Sequence, residues 1–316
     1  MSMPLLFGPY GSAKLPGDVK DFGVNAVWFH GFQEQAFEDC ALLALEACVE
    51  FKTFRADFGK RPELVPIGAD GKPIRYGRLV QGVCLSQTDY LAEIEEQLLD
   101  GLNRFRPRGV WLDYLTYAGW FETPEPDLQD SCFCPRCVDD FCRTANIDAD
   151  SPERISAEYA EEWKAHKCRK VAGFALRYAT LIKDRLPDCI VGAYMCPWTP
   201  EQFDGALTRI FAQDYGMLAE AIDVFTPLIY CRKSGKGPGW GREWLERSHE
   251  FVPSGKSVQL ILDVLDFPES LTETAASAVP SQGIQLYAGA TLFQDADAAA
   301  VFRRAVDAIR AQAARG

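Results

Sequence analysis

Eight short apolar segments, separated mostly by stretches of helical periodicity, constrain the fold of this chain more than any other feature. They lie at 5–7, 24–29, 48–51, 109–113, 190–195, 224–230, 258–262 and 284–287. Near-continuous apolar runs of this length are typical of strands buried on both faces of a parallel sheet. Eight strand–helix units in 316 residues predict an α/β fold of the (β/α)8 TIM-barrel type, formed by a single domain over residues 1–316. A doubly wound open sheet is the alternative, although the chain has no glycine motif of a nucleotide-binding fold.

Two loop excursions interrupt this alternation. Residues 56–80 are polar and rich in turn residues, and residues 118–142 contain a group of cysteines. Loops longer than about fifteen residues are usually functional or disordered. The second loop follows the apolar segment at 109–113, so we expect it at the carboxyl ends of the strands, where the active sites of such barrels lie.

Charge and cysteine usage exclude several classes of partner. The net charge is -12, and an acidic surface repels phosphate backbones, so we expect no nucleic acid partner. The chain has no run of eighteen apolar residues and no signal-peptide pattern at its start, so we expect no membrane partner. The eleven cysteines are an odd number and lie mostly in apolar segments, which is typical of reduced thiols in the cytoplasm. Association into a homo-oligomer is left open.

Polar and aromatic residues at the carboxyl ends of the predicted strands should converge on one mouth of the barrel. These residues are His30 after the second segment, Glu50 on the third, Asp113 on the fourth, Tyr194 and Trp198 at the fifth, Tyr230 and Arg232 at the sixth, Asp263 at the seventh, and Tyr287, with Gln294 further along, at the eighth. A strand-end carboxylate is costly to bury unless it is paired or used. The mouth is therefore the predicted functional site.

Glycoside hydrolysis uses two carboxyl groups, one of which protonates the leaving oxygen. Asp113 and Asp263, from separate strands, are the predicted pair. Glu50, Asp214 and, in the loop after Asp113, Glu122 are the reserve candidates for the second acid. Each acid has a structural alternative. For Asp113 and Asp263 the alternative is capping a loop or a short helix, and for Glu50 it is a salt bridge at the barrel mouth.

Aromatic residues near Asp113 are typical of a sugar-binding surface. Tyr114, Tyr117 and Trp120 follow the fourth segment directly, and together with Tyr194, Trp198 and Tyr230 they are the predicted stacking residues, with His30, Glu50 and Arg232 as polar substrate contacts. The alternative for each aromatic residue is packing in the core or in a loop.

The cysteine pattern in the second loop predicts a metal site. Cys132, Cys134 and Cys137 offer three thiols within six residues, and a tetrahedral zinc site uses four such ligands. The fourth is Cys84 or Cys142, of which we prefer Cys84, because Cys142 falls on the core side of a predicted helix. Four thiolates leave no open position, so the zinc would be structural. Four reduced cysteines without a metal are the alternative.

These motifs resemble those of known barrels. GVWLDYLTY followed by CFCPRCVDDF, and the upstream stretches ELVPIGADGKPI and GVCLS, resemble glycosidase-like (β/α)8 barrels that carry C-x-C-x-x-C after the fourth strand. Over residues 20–145 the chain is distantly similar to the zinc-carrying β-galactosidases and to α-fucosidase-type barrels. The β-galactosidases have Asn-Glu at the end of this strand, whereas this chain has Leu112-Asp113, which argues against β-galactosidase activity. The resemblance implies Asp113 as the nucleophile, or as acid/base with Asp263 as the nucleophile.

The first hypothesis is thus a glycoside hydrolase that acts on a small glycoside or oligosaccharide in carbohydrate metabolism, with a structural zinc and no organic cofactor. The second is a carbohydrate-binding barrel without catalytic activity. A metal-dependent sugar isomerase or aldolase is less favoured, because such sites recruit histidines and this chain has three, of which His166 and His249 lie in predicted helices.

Overall fold

The computed structural model describes residues 3–11, 15–74, 82–149 and 151–315. Within them the apolar segments form eight barrel strands, and the seventh consists of two short pieces. The strands are β1 (Leu6–Tyr10), β2 (Ala26–His30), β3 (Glu46–Lys52), β4 (Gly109–Asp113), β5 (Ile190–Met195), β6 (Val224–Ile229), β7 (Ser257–Val258 and Leu260–Asp263) and β8 (Gly283–Tyr287). Neighbouring strands pair in parallel in chain order, and β8 pairs with β1. The sheet therefore closes, which confirms the predicted TIM barrel.

Helices cover the outside of the barrel. They are α1 (Glu34–Leu42), α2 (Thr88–Arg104), α3 (Pro135–Ala145), α4 (Pro152–Glu158), α5 (Ala160–Arg185), α6 (Ala206–Arg209), α7 (Tyr215–Leu218), α8 (Trp240–Arg247), α9 (Glu269–Ala275) and α10 (Ala296–Ala313). None of the helices in the described ranges has a stretch that is both long and apolar enough to span a bilayer. The last part of the first predicted loop excursion, at 75–80, lies outside the described residues.

Several element boundaries differ from those that periodicity predicts. The helix predicted at 33–47 ends at Leu42, because Ala44 adopts a left-handed conformation with φ 49° and β3 begins at Glu46. Strand β1 continues to Tyr10, where its ladder pairs Tyr10 with Tyr287 of β8. The helix predicted at 200–221 forms only the two single turns α6 and α7.

The interior of the barrel is filled by large side chains. Trp28 and Trp111 meet edge to face with ring centroids 5.5 Å apart, and the Trp111 indole donates a hydrogen bond to Thr226 (2.8 Å). Gly192 faces them, and a Cβ at this position would lie 2.4 Å from the Trp111 ring. Glycine in the middle of β5 is therefore required by packing, since the indole occupies the space of a side chain.

Because side chains alternate along a strand, the inward-facing side chains continue as far as the mouth of the barrel. Trp28, Cys48 and Trp111 point into the barrel, and side chains two residues further along a strand point the same way. His30, Glu50 and Asp113 follow at that spacing, at the carboxyl ends of β2, β3 and β4. The same packing that fills the barrel thus places these polar groups at its open end.

Candidate active site

The mouth of the barrel contains a cavity of about 150 Å³. Strands β1 to β4 contribute Tyr10, His30, Glu50, Lys52 and Asp113 to its wall. The later strands contribute Tyr194, Leu228, Ile261 and Tyr287, and Tyr230 follows β6 directly. The loops after β3, β4 and β5 contribute Arg55, Tyr114, Thr116, Gly119, Trp120, Phe121, Glu122 and Gln213. We call this space the cavity.

Two carboxyl groups touch each other in the wall of the cavity. Glu50 is almost completely buried, and its carboxyl group lies close enough to that of Asp113 for the two to share a proton. Its Oε2 also binds the imidazole Nδ1 of His30, while its Oε1 lies 3.8 Å from the ammonium group of Lys52. Asp113 has a smaller set of partners, with Oδ1 accepting the backbone N–H of Tyr114 (2.9 Å). The cationic partners of the pair therefore lie on the side of Glu50.

This asymmetry separates the pKa values of the two acids. Burial alone would raise the pKa of Glu50, but the hydrogen bonds to His30 and Asp113, and the charges of His30 and Lys52, lower it to about 2. Burial, and then the negative charge of Glu50, raise the pKa of Asp113 well above its usual range. Two carboxyl groups this close cannot both ionise easily, so they retain one proton. The pair provides a carboxylate at Glu50 and a protonated acid at Asp113.

A second pair of acids shares one lysine near the strands β6 to β8. The ammonium group of Lys233 lies 3.4 Å from Glu122 and 3.0 Å from Asp263, and it sits over the rings of Tyr230 and Tyr287, with distances of 4.3 and 4.7 Å to their centroids. Burial raises the pKa of Glu122, and Lys233 opposes this rise. Glu122 lines the cavity and thus faces the same space as Asp113.

Asp263 is occupied by other contacts. Its Oδ1 accepts the backbone N–H of Leu265 (3.0 Å) and caps the short 3-10 helix Val264–Asp266, while its Oδ2 pairs with Lys233. It is buried and is not part of the cavity wall. The acid in contact with Asp113 is Glu50, so the catalytic pairing of Asp113 with Asp263 stays a prediction that the geometry does not favour.

The predicted substrate-binding residues divide into two groups. His30, Glu50, Tyr114, Trp120, Tyr194 and Tyr230 line the cavity. Three others do not. Trp198 is buried behind Phe121 with ring centroids 6.4 Å apart, Tyr117 is buried beside Lys167, and the side chain of Arg232 is 71% exposed near Asp266. For Tyr117 and Trp198 the alternative of core packing describes their position.

Tyr10, Lys52, Arg55 and Lys233 are among the residues in or near the cavity that the sequence did not point to. Tyr10 and Lys52 are the last residues of β1 and β3, beyond the predicted ends of these strands, and a correct boundary would have revealed both by alternation. Arg55 and Lys233 lie on loops, where no periodicity signals the direction of a side chain.

The cysteine motif forms a compact group. The sulfur atoms of Cys84, Cys132, Cys134 and Cys137 all lie within 4.8 Å of one another, and Cys84 is 3.6 Å from both Cys134 and Cys137. A tetrahedron with zinc–sulfur bonds of about 2.3 Å has edges of about 3.8 Å, so these separations fit a tetrahedral metal ion. Cys142 instead donates to the carbonyl oxygen of Ala149 (3.3 Å). The preferred fourth residue, Cys84, is the one that joins this cysteine cluster.

Backbone and side-chain groups surround the cysteine cluster. The backbone N–H of Ile67 donates to the sulfur of Cys132 (3.3 Å), and Ser86 Oγ lies 3.1 Å from the sulfur of Cys137. The ammonium group of Lys170 donates to Ser86 (3.2 Å) and to Asp140 (2.7 Å). Helix α5 thereby brings a positive charge toward a group of thiols that would carry negative charge around a metal.

Comparison with known proteins identifies the fold. A scan against protein-family models and a search of curated proteins both return no match. Among solved structures, the chain is similar to the PgaB (BpsB) glycoside hydrolase domain from Bordetella bronchiseptica, with a TM-score of 0.72 at 12% identity, over 95% of this chain and 98% of that one.

Two β-galactosidases are also similar. The polyextremophilic enzyme from the Antarctic haloarchaeon Halorubrum lacusprofundi gives a TM-score of 0.65 at 14% identity over 96% of this chain, and Gan42B, a GH42 β-galactosidase from G. stearothermophilus, gives 0.64 at 13% over 98%. The chain spans 58% and 56% of their lengths. At these identities the similarity shows the fold alone, which is a TIM barrel. The four-cysteine cluster of this chain could hold a metal.

Proposed function

We propose that the protein is a glycoside hydrolase in which Asp113 donates a proton to the leaving oxygen. The observation that carries this proposal is the contact between Glu50 and Asp113 in the cavity wall, which keeps a proton on Asp113. An acid with a raised pKa beside a carboxylate that stays ionised is how glycosidases keep a proton donor available near neutral pH. The similarity to glycoside hydrolase domains in fold supports the assignment.

Glu122 is the second carboxyl group of the proposed reaction. It lines the cavity and is held by Lys233, near β6 and β8, whereas Asp113 and Glu50 end β4 and β3. As Asp113 protonates the leaving oxygen and the glycosidic bond breaks, the carboxylate of Glu122 attacks the anomeric carbon or takes a proton from an attacking water. Lys233 favours the ionised form of Glu122 that either route requires.

Aromatic rings in the cavity wall give the sugar a surface to stack on. Tyr114, Trp120 and Phe121 follow β4 directly and line the cavity together with Tyr10 and Tyr287. The apolar faces of a pyranose ring pack against such rings, while the polar groups around them orient the hydroxyl groups. A cavity of about 150 Å³ suits one sugar unit at the point of cleavage.

We further propose that the cysteine cluster binds one structural zinc ion. Four thiols at tetrahedral separations match the ligand set of zinc, and they leave no position for water or substrate. The ion would fix the loop between β4 and α3 to the segment before α2, because Cys84 comes from that segment. Catalysis by metal-bound water is not part of the proposal.

A panel of aryl glycosides tests the proposed activity. The wild type and the variants Asp113→Asn and Asp263→Asn are compared on α- and β-linked 4-nitrophenyl hexosides, deoxyhexosides and hexuronides. Hydrolysis that Asp113→Asn abolishes and Asp263→Asn retains supports the proposal. Saturable sugar binding without turnover in the wild type would replace it with carbohydrate binding.

A further inference from the structure

Two positive side chains lie on one side of the cavity. Lys52 is the last residue of β3 and pairs in register with Asp113 of β4, and Arg55 follows three residues later. Both line the cavity, although the chain as a whole has a net charge of -12. A cationic side of a cavity in an acidic protein attracts a ligand of the opposite sign.

Arg55 differs from Arg61 in having no acidic partner within the part of the chain that the structure describes. Its guanidinium lies 5.4 Å from the ring centroid of Tyr114, much as that of Arg61 lies 5.3 Å from Tyr90. Arg61, however, also binds two carboxylates, at 2.5 Å to Glu63 and 3.1 Å to Glu93. No carboxylate of the described residues forms an ion pair with Arg55, so stacking on Tyr114 orients its guanidinium and leaves the N–H groups available.

The ammonium group of Lys52 also has N–H donors available to a ligand. Its ammonium group lies 3.8 Å from Glu50 Oε1, which is too far for a hydrogen bond, and Oε1 has no hydrogen-bond partner among the described residues. About a third of the Lys52 side chain is exposed (34%). The ammonium group can therefore bind an oxygen of a ligand in the cavity while it still balances part of the charge of Glu50.

We propose that the substrate carries a carboxylate, as in a uronic acid residue, which Arg55 and Lys52 bind. A carboxylate matches the planar fork of a guanidinium, and such charge-assisted hydrogen bonds are among the strongest in proteins. The carboxylate would lie near β3, away from the acid Glu122. This inference rests on the proposed glycoside hydrolase function and adds the class of sugar to it.

Pairs of 4-nitrophenyl glycosides that differ only at C6 test the inference. Glucosides and galactosides carry a hydroxymethyl group there, and glucuronides and galacturonides carry a carboxylate. We expect the wild type to cleave a hexuronide with a kcat/KM at least about tenfold above that of its matched hexoside. Arg55→Met should lower the hexuronide value about 10- to 100-fold and the hexoside value much less. Arg55→Lys, which keeps the charge and loses the fork, should fall between them.

Arg61→Met is the matched control, since Arg61 also stacks on a tyrosine but lies outside the cavity. It should leave the ratio of the two rates unchanged. Hexosides cleaved as fast as hexuronides, with Asp113→Asn inactive, would overturn the carboxylate inference and leave the hydrolase function standing.

If the wild type cleaves neither, the hydrolase function fails, and binding of free glucuronate and galacturonate measured by calorimetry decides the inference. Binding that Arg55→Met weakens supports a carboxylate site, whereas no binding, or binding equal in both proteins, overturns it.

Discussion

The cavity and the cysteine cluster use polar groups in opposite ways, although the loop after β4 contributes to both. In the cavity, some polar groups have hydrogen-bonding positions that no protein group fills. Among the described residues, Glu50 Oε1 has no hydrogen-bond partner and Arg55 has no acidic partner. Around the cysteine cluster the charges are matched, because Lys170 binds Asp140 and the fully buried Lys167 binds Asp130 and the carbonyl oxygen of Arg209 (2.5 Å). Unfilled hydrogen-bonding positions in a concave site indicate ligand binding, whereas complete ion pairs indicate a structural role.

The largest expected effect belongs to the cavity. Asp113→Asn removes the proposed proton donor without changing the shape of the side chain, so kcat on an aryl glycoside should fall about 10³-fold or more. Its melting temperature should change little, because Asp113 makes few stabilising contacts. Steady-state kinetics and a thermal melt measure the two quantities.

Asp263→Asn is the control for that variant. Asp263 caps a 3-10 helix and pairs with Lys233, so its loss should lower stability more than turnover. A loss of kcat as large as that of Asp113→Asn would restore the pairing of Asp113 with Asp263 that the sequence predicted.

A substitution in the cysteine cluster should lower stability and leave activity nearly unchanged, the reverse of Asp113→Asn. We expect the purified protein to contain one zinc per chain by elemental analysis, and Cys134→Ser to lose it. Because the ion links two segments distant in sequence, the melting temperature should fall by roughly 5 °C or more. Activity of the protein that stays folded should change little, because four thiols leave no open metal position.

Cys142→Ser is the control that distinguishes loss of a zinc ligand from loss of any nearby cysteine. Cys142 is close in sequence but binds the carbonyl oxygen of Ala149, so this variant should keep the zinc. Equal loss of zinc in both variants would contradict the assignment of Cys84 as the fourth ligand.

Glu50→Gln tests the origin of the proton on Asp113. The charge of Glu50 helps to raise the pKa of Asp113, so its removal lowers that pKa and reduces the protonated fraction near neutral pH. The alkaline limb of kcat/KM should move to lower pH, and the rate at pH 7 should fall about 10- to 100-fold. An unshifted limb in the pH–rate profile would show that another group holds the proton. Glu63→Gln, at an exposed ion pair with Arg61, serves as the control.

Much of the architecture could be predicted from the sequence, because the local composition of a short apolar segment identifies it as a strand. Asp113, Glu122 and the cysteine motif were found in the same way, since they lie close to one well-marked strand. Glu50, the neighbour of Asp113, was only a reserve candidate for the second acid, and its contact with Asp113 was not predicted. Contact between Glu50 and Asp113 depends on the register of β3 against β4, which pairs Glu50 with Trp111 and Lys52 with Asp113. Register is a property of two strands together, and neither segment alone contains it.

Loop residues were harder still. Lys233 reaches Glu122 and Asp263 from the loop after β6, and Arg55 reaches the cavity from the loop after β3. A loop has no period that assigns a side chain to a face, so their roles depended on three-dimensional contacts. The location of the candidate site was therefore predictable, whereas the pairing of its side chains needed the structure.

The smallest expected effect concerns the structural side of the comparison. His166 is stacked on Trp163 with ring centroids 5.9 Å apart, and burial, followed by the charge of Lys170, lowers its pKa from 6.5 to about 4. Because the folded state binds the proton more weakly than the unfolded state, the stability is complete above about pH 6.5 and is lost as the pH falls toward 4. At pH 6, His166 should lower the free energy of unfolding by about 1 kcal/mol, as measured by urea unfolding. In His166→Phe this part of the pH dependence should disappear, while the pH–rate profile, which belongs to the cavity, should keep its shape.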